Sequence, residues 1–276
     1  MMKYIDIGVN LFSRQFAGQE ENIVNRAAAA GVGMIVTGSS LYSSEQAAAF
    51  CRSVNVNDHA GGAGGDSAQP AYPVYSTAGV HPHDAKTCDD QTMDALRQLI
   101  AENPFVIAAG ECGLDYDRMF SPADVQRYWF ERQVELAEEL DRPLFLHERS
   151  ASDDFSRIMA GHPKACRRAV VHCFTGTRAE AERYLELGCM IGITGWVCDE
   201  RRNGDLLDAL QAIPPERLMA ETDAPYLKPR GIKGLKGPNV PENIVHVVRR
   251  IAEEKGMDEE RLAAVLLRNT KSFFGI

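Results

Sequence analysis

Val106-Ile107-Ala108-Ala109-Gly110-Glu111 is a short apolar run that ends in a carboxylate. Three other stretches have the same form: Pro143-Leu144-Phe145-Leu146-His147, Ala169-Val170-Val171-His172 and Leu218-Met219-Ala220-Glu221-Thr222-Asp223. An apolar run of this length, bounded by Gly or Pro, reads as a buried strand. The residue at its end begins the following loop. In a closed parallel barrel those loops converge on one face, where active sites are built. Glu111, His147, His172 and Asp223 brought together there make a donor set for a divalent cation. One such run can be accidental; the reading rests on four in series.

The rest of the chain alternates in the same way. Strands are predicted at Tyr4–Val9, Gly33–Thr37, Val74–Ala78, Val106–Gly110, Pro143–Leu146, Ala169–Val171, Met190–Thr194 and Leu218–Glu221. Amphipathic stretches between them include Glu20–Ala30, Ser44–Val54, Thr92–Glu102, Pro122–Leu140, Ala179–Leu187 and Gly204–Ala212. Ser121 is the expected N-cap of the fourth, with Pro122 in its first turn. Eight strands alternating with helices predict an α/β protein, a single (β/α)8 TIM-type barrel over residues 1–276. No linker divides the chain. Residues 57–72 carry Gly61-Gly62-Ala63-Gly64-Gly65 and no apolar period, which reads as a flexible loop insertion.

Composition narrows the function. Of 276 residues 45% are hydrophobic, ample for a core. The formal charge is -9, from 39 acidic and 30 basic side chains, which is not the balance of a typical DNA-binding domain. Any contact with nucleic acid must therefore be local. Seven cysteines, none in a C-x-x-C pair, fit reduced thiols better than a disulfide framework. Met1–Ile7 enters a strand-like run with no signal-peptide pattern, and no apolar stretch is long enough to span a membrane. A cytoplasmic monomer is the expectation.

Three motifs carry a more specific signal. Gly110-Glu111-Cys112-Gly113-Leu114-Asp115-Tyr116, His172-Cys173-Phe174-Thr175-Gly176 and Glu221-Thr222-Asp223-Ala224-Pro225-Tyr226 resemble signatures of the TatD family of metal-dependent deoxyribonucleases. Gly79-Val80-His81-Pro82-His83, His147-x-Arg149, Ile191–Trp196 and Asn269–Gly275 are similar to further family segments, in the family's order. The resemblance implies Glu111, His147, His172 and Asp223 as metal-site residues. Asp223 and Glu111 would also serve catalysis, Asp223 by accepting a proton from the attacking water. It further implies that His81 faces the site and contacts the scissile phosphate. The activity implied is a 3′ to 5′ exonuclease on single-stranded or frayed DNA ends, extending to RNA.

One departure bears on the metal. Many relatives begin Asp-x-His-x-His, and here the same place reads Asp6-Ile7-Gly8-Val9-Asn10. Fewer imidazoles move the preference from zinc toward magnesium, with manganese as its nearest substitute. Arg149 suits a phosphate oxygen, or else an ion pair with Glu148 or Asp153. Lys228, Arg230, Lys233 and Lys236 form the most basic stretch and read either as a track for a nucleic-acid backbone or as a solvated loop. Arg201 and Arg202 extend that surface. Trp196, Phe174 and Tyr226 are candidates for stacking on an unpaired base or for packing. Asp115 is the candidate to orient a ligand from outside, and Cys112 and Cys173 read as packing. The same scaffold also suits an ester hydrolase, such as a lactonase or aminoacyl-tRNA deacylase. A nucleic-acid-binding protein with a degenerate site is the third reading.

Overall fold

The computed structural model describes residues 1–56 and 72–276. The Gly-rich insertion expected at 57–72 lies outside the described residues, apart from Tyr72. The chain forms one eight-stranded parallel sheet in sequence order. The strands are β1 (Tyr4–Val9), β2 (Val32–Val36), β3 (Val74–Ala78), β4 (Val106–Asp115), β5 (Leu144–Arg149), β6 (Ala169–Val171), β7 (Met190–Ile193) and β8 (Leu218–Ala220). β8 returns to β1. Val9 bridges Ala224 in parallel, Asn10 N–H donates to the Ala224 carbonyl at 2.7 Å, and Thr222 N–H donates to Asp6 Oδ1 at 2.8 Å. The expected (β/α)8 barrel is therefore what forms.

The helices among the described residues are α1 (Glu20–Ala29), α2 (Leu41–Val56), α3 (Asp90–Glu102), α4 (Ala123–Glu139), α5 (Ser152–Ala160), α6 (Pro163–Cys166), α7 (Arg178–Leu187), α8 (Gly204–Ala212), α9 (Ile244–Lys255) and α10 (Glu259–Phe274). Two capping boxes, Asp89 with Thr92 and Thr177 with Glu180, start α3 and α7. α4 corrects the expected cap. Pro122 takes the N-cap position, and the Ser121 hydroxyl instead donates to the His83 carbonyl and accepts from Lys86 N–H. Ser121 thus ties the β3 loop to the helix entry rather than closing the helix.

Two apolar layers hold the barrel. The outer one packs strands against helices. The inner one takes Ile5, Ile7, Ile35, Ile107, Phe145, Val170, Met190 and Met219 from seven strands, with Tyr75 of β3 packed beside them. Phe274 of α10 joins it from the end of the chain. Side chains two apart on a strand share a face. Phe145 therefore lies below His147 and Val170 below His172, and the Phe145 ring stacks on His172 with centroids 4.4 Å apart. The apolar layer is the floor on which the polar site stands.

Candidate metal centre

β4 is the longest strand and is buried throughout. It runs on past Gly110 to Asp115, so Glu111 stands within the strand rather than at its end. β5 likewise extends beyond His147 to Arg149, which places Gly113 opposite His147. This close pairing requires glycine. A Cβ at Gly110 would overlap the Phe145 carbonyl, and one at Gly113 the His147 carbonyl, at φ values of +117° and +143°. The register slips between Gly110 and Cys112, turning Glu111 into the barrel mouth.

Glu111 is the hub. Its Oε1 is 2.8 Å from His172 Nε2, 3.2 Å from His147 Nδ1 and 3.3 Å from His81 Nε2. Burial pushes its carboxyl up, but His81, His172 and the His147 bond outweigh burial and hold it well below the usual range. Against burial, Glu111 and Glu221 hold His172 well above the usual imidazole range. The same surroundings raise His147, whose ring faces Asp115 and Glu111.

Two observations fit a cation here. His147 Nε2 is buried and makes no hydrogen bond among the described residues, with Asp115 Oδ2 3.4 Å away. The ligand-type atoms of His81, Glu111 and His147 lie within 4.8 Å of one another. His81 nevertheless suits a different role. Its Nδ1 accepts His83 N–H at 3.1 Å, which leaves the ring proton on Nε2, aimed at the site. Burial lowers its pKa, which favours the neutral ring. His172 stands on the other side of the same carboxylate, Glu111.

Asp223 sits three residues past the end of β8 in the left-handed region, at φ +53°, and Cys173, next to His172, is at φ +48°. Such strain gathers at functional faces. Asn10 Nδ2 donates to Asp223 Oδ1 at 2.7 Å. Asn10 thus offers its nitrogen to a carboxylate, and not its oxygen to a metal. Burial pushes Asp223 up to about 7. Asp115 accepts from His83 Nε2 at 2.8 Å and from the backbone of Asp117 and Arg118. Its Oδ2 also faces His147, so it spans two imidazoles from outside the hub. The sequence reading missed Glu221, which is wholly buried and 3.3 Å from His172 Nδ1. The signal was present in the Glu-Thr-Asp motif, but Asp223 drew the attention.

The periphery is more divided. Arg149 is exposed and pairs with Asp117 at 3.0 Å, not with Glu148 or Asp153. Lys228 donates to the Gly237 carbonyl, bracing its own loop. Arg230, Arg201 and Arg202 all face the single carboxylate of Asp199. Arg202 and Arg230, with Lys228 and Trp196, border a cleft of about 570 Å³ beside the barrel mouth. Two guanidiniums and an ammonium against the Asp199 carboxylate leave this cleft cationic. Arg202 already covers the Trp196 ring, 4.0 Å from its centroid. Phe174 is buried and packs edge-on to Tyr184, which removes it as a stacking platform. Tyr226 is 48% exposed and Phe120 55% exposed, the latter edge-on to His83 at 4.7 Å. Phe120 had no sequence signal, since only the fold brings it to His83. Cys112 is buried, as expected of packing. No helix among the described residues is long and apolar enough to cross a membrane.

The family model for TatD-related DNases matches residues 5–275. A protein of Erwinia amylovora named 3′-5′ ssDNA/RNA exonuclease TatD is 43% identical over 98% of this chain and 99% of its own. One of the same name from Escherichia fergusonii is 44% identical, covering 98% of both. The solved structure of YJJV, a TatD homologue of Escherichia coli, superposes with a TM-score of 0.81 at 29% identity, covering 99% of this chain and 98% of that one.

Proposed function

This chain belongs to the family of TatD-related DNases, and we propose that it is a metal-dependent exonuclease removing nucleotides from 3′ ends of single-stranded or frayed DNA, and of RNA. The observation that carries the proposal is the cluster of His147, His172 and His81 within 3.3 Å of one buried carboxylate, Glu111. Nearly full-length similarity to proteins named for that activity supports the substrate class. The whole of residues 1–276 would act as one catalytic barrel, monomeric and cytoplasmic.

Glu111, His147, His172 and Asp223 would hold the cation, magnesium or manganese in preference to zinc, since Gly8 stands where relatives carry an imidazole and Asn10 is committed to Asp223. A divalent cation at such a site acidifies water and offsets charge on the phosphoryl group. The chain's residues supply the rest. Asp223 would accept the proton of the attacking water at its carboxylate. Asn10 keeps that carboxylate aimed. His81 presents Nε2–H to a non-bridging phosphate oxygen, as a neutral donor. Arg149 would release Asp117 to meet the same phosphate. Lys228 and Arg230 line the cleft along which the strand behind the cleaved bond would run.

Single-stranded DNA labelled at either terminus, incubated with the protein across a series of divalent cations, tests the proposal. Loss of the 3′ label as mononucleotide, with a shrinking ladder retaining the 5′ label, is expected. Release of 5′-labelled mononucleotide first, or cleavage that continues in excess chelator, would reject it.

A further inference from the structure

His172 is held by carboxylates at both ring nitrogens. Nε2 is 2.8 Å from Glu111 Oε1 and Nδ1 is 3.3 Å from Glu221 Oε2. Glu221 has no exposed surface, and its other oxygen accepts the backbone N–H of Cys173 at 2.5 Å. Burying a carboxylate here requires space that two missing side chains provide. A Cβ at Gly8 would overlap Glu221 Oε2, and one at Gly192 would stand 2.7 Å from Oε1.

We propose that Glu221 is a positioning residue that keeps the His172 proton on Nδ1, so that Nε2 turns its lone pair to the cation, with Gly8 and Gly192 forming the socket that admits it. This rests on the metal centre proposed above. A ligating imidazole can offer only one nitrogen, and the hydrogen bond at the other decides which. Glu221 is an acceptor only, so His172 Nδ1 must be the donor. Glu221 cannot rotate away from that duty, because Cys173 N–H fixes its other oxygen.

The isosteric variant Glu221→Gln discriminates positioning from packing. Cys173 N–H demands an acceptor, so the amide oxygen must take the Oε1 place. The amide NH2 then faces His172 Nδ1, which must become an acceptor, and the ring proton moves to Nε2. Shape is preserved while the ligand nitrogen is blocked. Affinity for Mn2+ by calorimetry should fall roughly 10–100-fold, the usual loss for an outer partner of a ligand. Nitrogen-15 NMR of the Zn2+-loaded wild type, with Zn2+ as the diamagnetic probe, should show a directly bonded proton on His172 Nδ1 and none on Nε2. In metal-free Glu221→Gln at high pH the proton should be on Nε2.

His172 of the Zn2+-loaded wild type protonated on Nε2 would overturn the proposal, and that measurement stands even if the variant does not fold. Unchanged affinity and tautomer in a folded Glu221→Gln would overturn it too. His147→Ala separates the two levels of the argument. If it loses Mn2+ binding while Glu221→Gln keeps it, only the role of Glu221 fails. If His147→Ala binds Mn2+ like the wild type, the metal-centre reading fails and this inference with it.

Discussion

Replacing Glu111 by Gln changes charge and almost nothing in volume, which makes it the sharpest perturbation of the hub. Three imidazole nitrogens lie within 3.3 Å of Oε1. Two of those rings have another carboxylate nearby: Asp115 beside His147 and Glu221 beside His172. The metal-free variant should therefore fold, with His172 and His147 shifted down toward ordinary imidazole values once the Glu111 charge is gone. The cation loses a ligand that is also, among the described residues, the only carboxylate facing all three rings. Losing an outer partner costs roughly 10–100-fold in metal affinity. Losing this ligand should cost more than about 100-fold, equivalent to about 2.7 kcal/mol at 1.36 kcal/mol per tenfold change. Mn2+ calorimetry reads the affinity, release of the 3′ label reads turnover, and circular dichroism reads the fold. A folded Glu111→Gln that binds Mn2+ within threefold of wild type, or turns over at a comparable rate, would mean that Glu111 is not a ligand of the cation.

Further consequences follow from the same geometry. Because burial raises Asp223 to about 7, above its unfolded value, its neutral form stabilises the metal-free protein at low pH, and that contribution is lost as pH rises through 7. In chelator, Asp223→Asn should thus gain on wild type in thermal stability from about pH 4, where the unfolded carboxyl ionises, up to about pH 7, and hold that lead at pH 8; with cation present the order at pH 8 should reverse, because the carboxylate is then a ligand. Gly113→Ala forces a Cβ into the His147 carbonyl at φ +143° and should destabilise by about 2–4 kcal/mol in denaturant titration; a loss under about 0.5 kcal/mol would mean that β4 and β5 pair less closely than described. Lys233 and Lys236 are exposed, and their joint reversal to Glu should raise KM for single-stranded DNA and flatten its salt dependence. Hydrolysis of a small phosphodiester should be unaffected, and an unchanged KM for DNA would return this loop to ordinary solvated surface.

The barrel was legible because each strand is a compact apolar run and the fold needs eight of them. Boundaries erred where local chemistry is unusual. β4 continues through Gly110 and Gly113, residues that ordinarily end a strand, because only glycine tolerates the approach of β5 there. Helices α5, α9 and α10 were not picked out, although Leu262, Leu266 and Phe274 of α10 are buried at helical spacing. Glu111, His147 and His172 were readable as donors at strand ends. What sequence could not convey is how each is held. Glu221 and Asp115 matter through one oxygen each, and Arg149 meets Asp117 across strands whose register slips. Phe174 looked like a platform beside His172, yet an αL residue between them, Cys173, turns it into the core.

If Glu111, His147, His172 and Asp223 hold the cation that the reaction uses, anomalous diffraction at the manganese edge will locate it in crystals soaked in Mn2+. One strong peak is expected in the barrel mouth, bounded by those four side chains, and it should be lost in His147→Ala. A peak confined to other acidic groups, or one that persists unchanged in His147→Ala, would contradict it.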